Sequence, residues 1–186
     1  TGRVFDPSIQ PLWAAYAAAG AEGRAPTDPE RTAALARVGW EGVTVDPGRI
    51  TLRPGMALTL NGIAQGLAAD RLAEVAARHG LSDLLIDAGE LRAVGPTGWT
   101  ARIEEPGGDA AARLVLSDRA LATSAPFGTR IGPAGDGAHI LAADGRAVRW
   151  RLVSVSAYRA ALACGKIGES EGKVGGGLVE DAWGRC

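Results

Sequence analysis

Cysteine and lysine are scarce in this sequence, with two of each among 186 residues. Cys164 and Cys186 are too few and too close to the end to frame a disulfide-built fold, and no CxxC pair gives metal or redox spacing. Net charge is small as well, at −1 with 22% charged residues. That excludes nucleic-acid binding driven by phosphate neutralisation, which needs a basic face. No apolar run reaches the length of roughly 18 residues that a membrane-spanning helix requires. Disorder is excluded from the other side, because 46% of the chain is hydrophobic. A globular domain of ordinary size remains, long enough to bury a core without disulfides or a structural metal. The chain starts at Thr1, carries no signal or lipid-anchor motif, and reads as a fragment.

What is abundant is alanine (36), glycine (27) and arginine (18), the usage of a GC-rich coding sequence. Both lysines and both cysteines lie after residue 163, so the last 23 residues differ in character from the body. Residues 1–163 therefore read as one domain, and residues 164–186, which lack periodicity, as a divergent and irregular tail.

Along the body, Asp6 and Pro7 suit the start of a helix. Its apolar positions are Ile9, Leu12, Trp13 and Tyr16, and Gly20 is the expected stop. Thr27 and Glu30 form a capping-box pattern opening a second helix that should end near Val38 and Gly39. Pro47 and Gly48 separate two short runs, 43–46 and 49–53, that read as a hairpin. A long helix follows Asn61 and Gly62, with Ile63, Leu67, Leu72, Val75 and Ala76 as its apolar face. Leu84 to Asp87 reads as a buried strand. Further short strands are expected at 100–104, 113–116, 138–142 and 146–156, with a hairpin turn at Asp144 and Gly145. Helices and strands mix without regular βαβ alternation, so the fold class is α+β.

The chemistry-bearing candidates are few. At the turn from Thr59 to Gly66, a strand feeds the start of the long helix, where free backbone N–H groups can hold a phosphate. Gly62 and Gly66 would let a ligand approach closely, although a tight turn capped by Asn61 explains the same spacing. Asp6 suits a cap, Asp46 a turn, and Asp70 the polar side of its helix beside an ordinary Arg partner. Asp87 suits either a ligand contact or a turn. His139 opens an apolar strand, and Ser124 lacks the GxSxG context of a nucleophile elbow.

Taken in order, FDPSIQPLW, LTLNGIAQGLAADRLAEV, LLIDAGELRAVG, LATSAPFGT, HIL and VSVSAYRAALA resemble the ApbE family of FAD:protein FMN transferases over residues 2–163. The resemblance implies an α+β flavin transferase domain that is incomplete here. It also implies FAD as substrate, Mg²⁺ as cofactor, and transfer of FMN to a Thr or Ser hydroxyl of a target flavoprotein with release of AMP. Phe5 and Asp6 match the early flavin-binding stretch. Thr59, Asn61, Gly62 and Gln65 match the turn that touches FAD, Gly62 offering its main-chain carbonyl to the metal. His139, Ile140 and Leu141 match a block near the flavin. Family members act on the outer face of the cytoplasmic membrane or in the periplasm, and the segment that would direct this is not in the chain.

The sequence departs from the family pattern at several of these places. Gln65 stands where Lys or Glu is usual, Thr59 where Asp is common, and ILAADGRA lacks the Asp-Pro-x-Thr-Gly that should follow His139. Cys164 and Gly168 occupy the positions of the family's Asp and Thr metal ligands, and neither supplies the hard oxygen that Mg²⁺ takes. A non-catalytic FAD-binding module and an inactive fragment are therefore the alternative readings.

Overall fold

The computed structural model describes residues 6–105, 110–132, 137–142, 152–161, 163–164 and 177–180. In chain order, a 3₁₀ turn (Pro7–Ile9) leads into α1 (Gln10–Ala21), followed by α2 (Asp28–Leu35), β1 (Val43–Asp46) and β2 (Arg49–Leu52). Next come α3 (Ala64–Arg78), β3 (Leu84–Asp87), β4 (Leu91–Val94), β5 (Trp99–Glu104), β6 (Ala110–Leu116) and β7 (Ala120–Ser124). The described strands close with β8 (Arg130–Ile131), β9 (Gly137–Ala138), β10 (Val153–Ala157) and β11 (Gly177–Glu180). The class is α+β with mostly antiparallel pairing, as expected from the sequence.

These elements form two compact units that interleave along the sequence: Thr1–Leu60 with Pro126–Arg149, and Asn61–Ala125 with Trp150–Cys186.

In the first unit, Asp6 accepts from the Ser8 backbone N–H at 2.9 Å and starts the Pro7–Ile9 turn. Leu12 is fully buried on α1. The helix does not stop at Gly20. It runs on to Ala21, and the reversal falls at Gly23, whose φ of +72° favours glycine. Gly20 has a packing use instead, since a Cβ there would lie 2.9 Å from the backbone nitrogen of Gly132. The Thr27–Glu30 capping box is present in both directions on α2, which ends at Leu35, three residues before the expected Val38. β1 and β2 pair in the register Val45↔Ile50 and Asp46↔Arg49 across Pro47 and Gly48.

The second unit is built on a five-stranded sheet of order β11-β10-β7-β4-β3. Period-two alternation along its strands sends residues to two different cores. Leu85, Ala93 and Leu121 join Ala101, Ile103 and Leu116 of the β5–β6 hairpin on one face. Ile86, Val94 and Ala120 join Ala69 of α3 and Ala160 on the other. Every residue of β10 is buried, as suits a strand inside such a sheet.

Three expectations change here. The large apolar residues of α3 do not face the sheet: Leu67 and Leu72 are each 49% exposed. The helix packs instead through Gly66, Ala69, Asp70 and Ala76, because small side chains allow it to approach the sheet closely. The strand expected at 138–142 is limited to Gly137–Ala138, paired with Arg130–Ile131. The segment after residue 163 is not wholly irregular, since Gly177–Glu180 pairs in parallel with Val153–Ala157. Four residues without flanking periodicity gave no strand signal. The expected turn at Asp144 and Gly145 and most of the 146–156 strand lie outside the described residues.

Candidate functional site

The candidate residues divide between the two units. In the first, Asp6 is buried with its carboxylate engaged twice by Ser8, the hydroxyl donating at 2.6 Å. The Ser8 hydroxyl also accepts from the Gly39 backbone N–H at 2.7 Å. Asp6 is therefore a cap, as its sequence context suggested. Thr59 lies beside this turn, its backbone N–H donating to the Pro7 carbonyl at 2.8 Å.

His139 is half-buried, with Nδ1 2.9 Å from the Pro126 carbonyl oxygen and 2.8 Å from that of Thr129. Two carbonyls can only accept, so Nδ1 carries the proton and Nε2 is left as the acceptor in the neutral ring. The His139 carbonyl takes a hydrogen bond from Trp13 Nε1 at 3.2 Å. Ile140 and Leu141 follow, both half-buried. Thus Asp6, Thr59 and His139 all attach to the segment containing the 3₁₀ turn and α1. Phe5 lies outside the described residues.

In the second unit, Asn61, Gly62 and Gln65 are exposed at the entrance to α3. The N-cap is Ile63, and Asn61 and Gly62 lie in the turn before it. The backbone turn puts Ile63 rather than Asn61 at the half-helical position. Gln65 reaches over the β3–β4 turn, where a Cβ on Gly89 would collide with its amide nitrogen. In that turn the Asp87 carboxylate accepts from the Gly89 N–H at 3.1 Å, the turn-stabilising role. Gly66 does not leave room for a ligand. A Cβ there would lie 2.6 Å from the Ala160 carbonyl oxygen and 2.7 Å from Cys164 Sγ, so its openness serves a contact within the protein.

Behind that contact lies a pair that sequence reasoning did not single out. Glu90, on the turn before β4, accepts from the Thr123 backbone N–H at 3.3 Å and shares a hydrogen bond with Cys164. Burial raises the Glu90 carboxyl to about 7, with the nearby charge of Asp87 adding to it. Burial also pushes the Cys164 thiol up to about 12, reinforced by the Glu90 charge. The thiol therefore stays protonated at neutral pH. Gly168 lies outside the described residues.

Asp70 is the largest correction. It is 5% exposed rather than on a polar helix surface. Its carboxylate accepts from the backbone N–H groups of Ala160 at 2.9 Å and Ala161 at 3.0 Å. Arg92 Nε lies 3.7 Å and Arg159 Nε 4.0 Å from the same carboxylate. The sequence signal was the helical spacing of Asp70 from Gly66, one turn earlier on the same face.

The residues around Cys164 do not suit a hard divalent cation. Mg²⁺ prefers octahedral oxygen ligands, whereas position 164 offers a protonated sulfur. Among the described residues, no group of three or more His, Cys, Asp or Glu side chains could hold a metal.

Comparison with known proteins places this architecture. The ApbE family profile matches residues 1–166. Among solved structures, the ApbE protein of Thermotoga maritima superposes with a TM-score of 0.78 at 26% identity, over 90% of this chain and 58% of that one. The flavin transferase ApbE of Vibrio cholerae gives 0.72 at 26% identity, over 89% and 57%. The apo flavinyl transferase ApbE of Pseudomonas stutzeri gives 0.73 at 24% identity, over 89% and 54%. The chain thus spans a little over half the length of these solved relatives. No curated protein matches the sequence. With the family profile covering most of its length, the chain belongs to the ApbE family.

Proposed function

We propose that this chain forms the flavin-handling part of a FAD:protein FMN transferase. The observation that carries the reading is the family match, together with the exposed start of α3 at the Asn61–Gly62 turn. A helix start turns the positive end of its dipole toward an anion. The diphosphate of FAD has the matching charge. Gln65, beside the same turn, is a neutral donor and acceptor for the ligand's polar edges.

In the reaction, the hydroxyl oxygen of an acceptor Thr or Ser on a target flavoprotein attacks the phosphorus of the FMN half of FAD. A phosphoester bond forms, the diphosphate bond breaks, AMP departs, and the hydroxyl proton is lost to solvent or a base. Positioning and charge neutralisation supply most of the catalysis in phosphoryl transfer. His139, which the family resemblance also singles out, holds its proton on Nδ1 and keeps Nε2 as an acceptor.

Mg²⁺, which the family resemblance implies through the Gly62 carbonyl, does not fit the donor set around Cys164, and no step is assigned to it. This mismatch favours a second reading, in which the chain binds FAD without transferring FMN. Action on the outer face of the cytoplasmic membrane or in the periplasm belongs to the same proposal.

The test is incubation with FAD and an acceptor flavoprotein domain, read by covalent flavin fluorescence on a denaturing gel and by AMP release. Both signals together support the transferase. FAD binding without either signal supports the binding module.

A further inference from the structure

We infer that Asp70 is a positioning residue, holding residue 164 in place at the entrance of α3 by gripping the backbone of Ala160 and Ala161. Three observations within the second unit converge on this. The Asp70 carboxylate is 5% exposed and takes both N–H groups, at 2.9 and 3.0 Å. Ala160 and Ala161 open the helical stretch that carries Cys164, so their N–H groups are donors with no partner of their own within a helix. Gly66, one turn before Asp70, meets the Ala160 carbonyl and Cys164 Sγ from the same face of α3.

Asp70 pulls the stretch onto α3, and the missing side chain of Gly66 sets how close it comes. Cys164 is thereby pressed against the first turn of α3 and beside Glu90. Arg92, whose side chain is 14% exposed, balances the charge of Asp70 from β4. Glu74, one turn further along α3, grips the same segment only at its surface, through Arg159 at 3.1 Å. The functional meaning of the anchor rests on the flavin reading above, because the first turn of α3 is where FAD is proposed to sit.

The experiment reads the position of residue 164 directly. In full-length chain carrying Cys186→Ser, labelling of Cys164 by a thiol reagent is timed under native conditions, alongside urea unfolding and FAD titration. Asp70→Asn keeps the size of the side chain but presents an NH₂ to one of the two N–H donors. Gly66→Ala leaves the carboxylate intact and pushes from the other side.

Both variants are expected to label Cys164 about tenfold faster or more, beyond what their loss of global stability accounts for. Glu74→Gln is expected to label at the unsubstituted rate. In the variants FAD affinity should fall about tenfold, a loss of about 1.4 kcal/mol. Labelling at the unsubstituted rate in Asp70→Asn and Gly66→Ala, or in proportion to global unfolding alone, overturns the anchor. If Asp70→Asn does not fold, Gly66→Ala decides. If the unsubstituted chain does not bind FAD, the flavin reading falls while the labelling rates still decide the anchor.

Discussion

The carboxylate of Asp70 reaches across 90 positions of sequence to the backbone N–H of Ala160, at 2.9 Å. Replacing Asp70 with Ala leaves the two N–H donors without their acceptor and removes one of the two carboxylates beside Arg92, Asp118 remaining at 3.3 Å. Losses of this kind cost about 3 kcal/mol or more. The urea midpoint of Asp70→Ala against the unsubstituted chain checks the figure. A change under about 0.5 kcal/mol, the range of surface substitutions, would contradict it.

The two faces of α3 should respond in opposite ways to change. Leu72 is 49% exposed and Ala69 fully buried against Ile86, Ala120 and Ala160. Leu72→Gln is expected to alter stability by no more than about 0.5 kcal/mol. Ala69→Leu overfills a tight contact and should cost about 1–3 kcal/mol. Chemical denaturation of the two variants side by side tests the orientation of the helix.

The raised Glu90 carboxyl gives a pH dependence with a definite sign. Its folded value of about 7 lies above the ordinary 4.5, so the folded state holds the proton more tightly between those values. The contribution of Glu90 is therefore fully present below about 4.5 and is lost as pH rises through about 7. Glu90→Gln, which stays neutral, should lack this loss. The difference in unfolding free energy between the two proteins, followed from pH 4 to 9, should grow in favour of the variant as pH rises. A difference that is flat with pH would remove the raised carboxyl from the account.

At the start of α2, Thr27 accepts from the Glu30 N–H while the Glu30 carboxylate accepts from the Thr27 N–H at 2.7 Å. Thr27→Ala removes one half of this box and should cost about 1 kcal/mol. Thr27→Ser, which keeps the hydroxyl, should cost much less. Thermal or urea unfolding of the pair separates the hydroxyl from the methyl.

Local rules written into short segments were legible before the structure. Asp6 as a cap, the Thr27–Glu30 box, the hairpin across Pro47 and Gly48, and the strand from Leu84 to Asp87 all depend on neighbours a few residues apart. What escaped depends on distant partners. Leu67, Leu72 and Val75 formed the more hydrophobic stripe of α3, yet a helix lying close to a sheet packs with its small residues, and periodicity does not weigh size. Asp70 looked like a surface carboxylate because its two donors lie in a segment about ninety positions away. β4 and β7 were missed because four or five residues between turns leave too little alternation to read. The family resemblance singled out Gly62 and His139, whereas Glu90 could be placed beside Cys164 only once the sheet brought β4, β7 and the 160–164 stretch together.

The most direct test of the flavin reading is a fluorescence titration of FAD with the 186-residue chain, repeated with Gly62→Val. The account predicts saturable binding, weakened about tenfold or more by the added side chain at the α3 entrance, a loss of about 1.4 kcal/mol. Absence of saturable binding, or equal affinity in the two proteins, would contradict it.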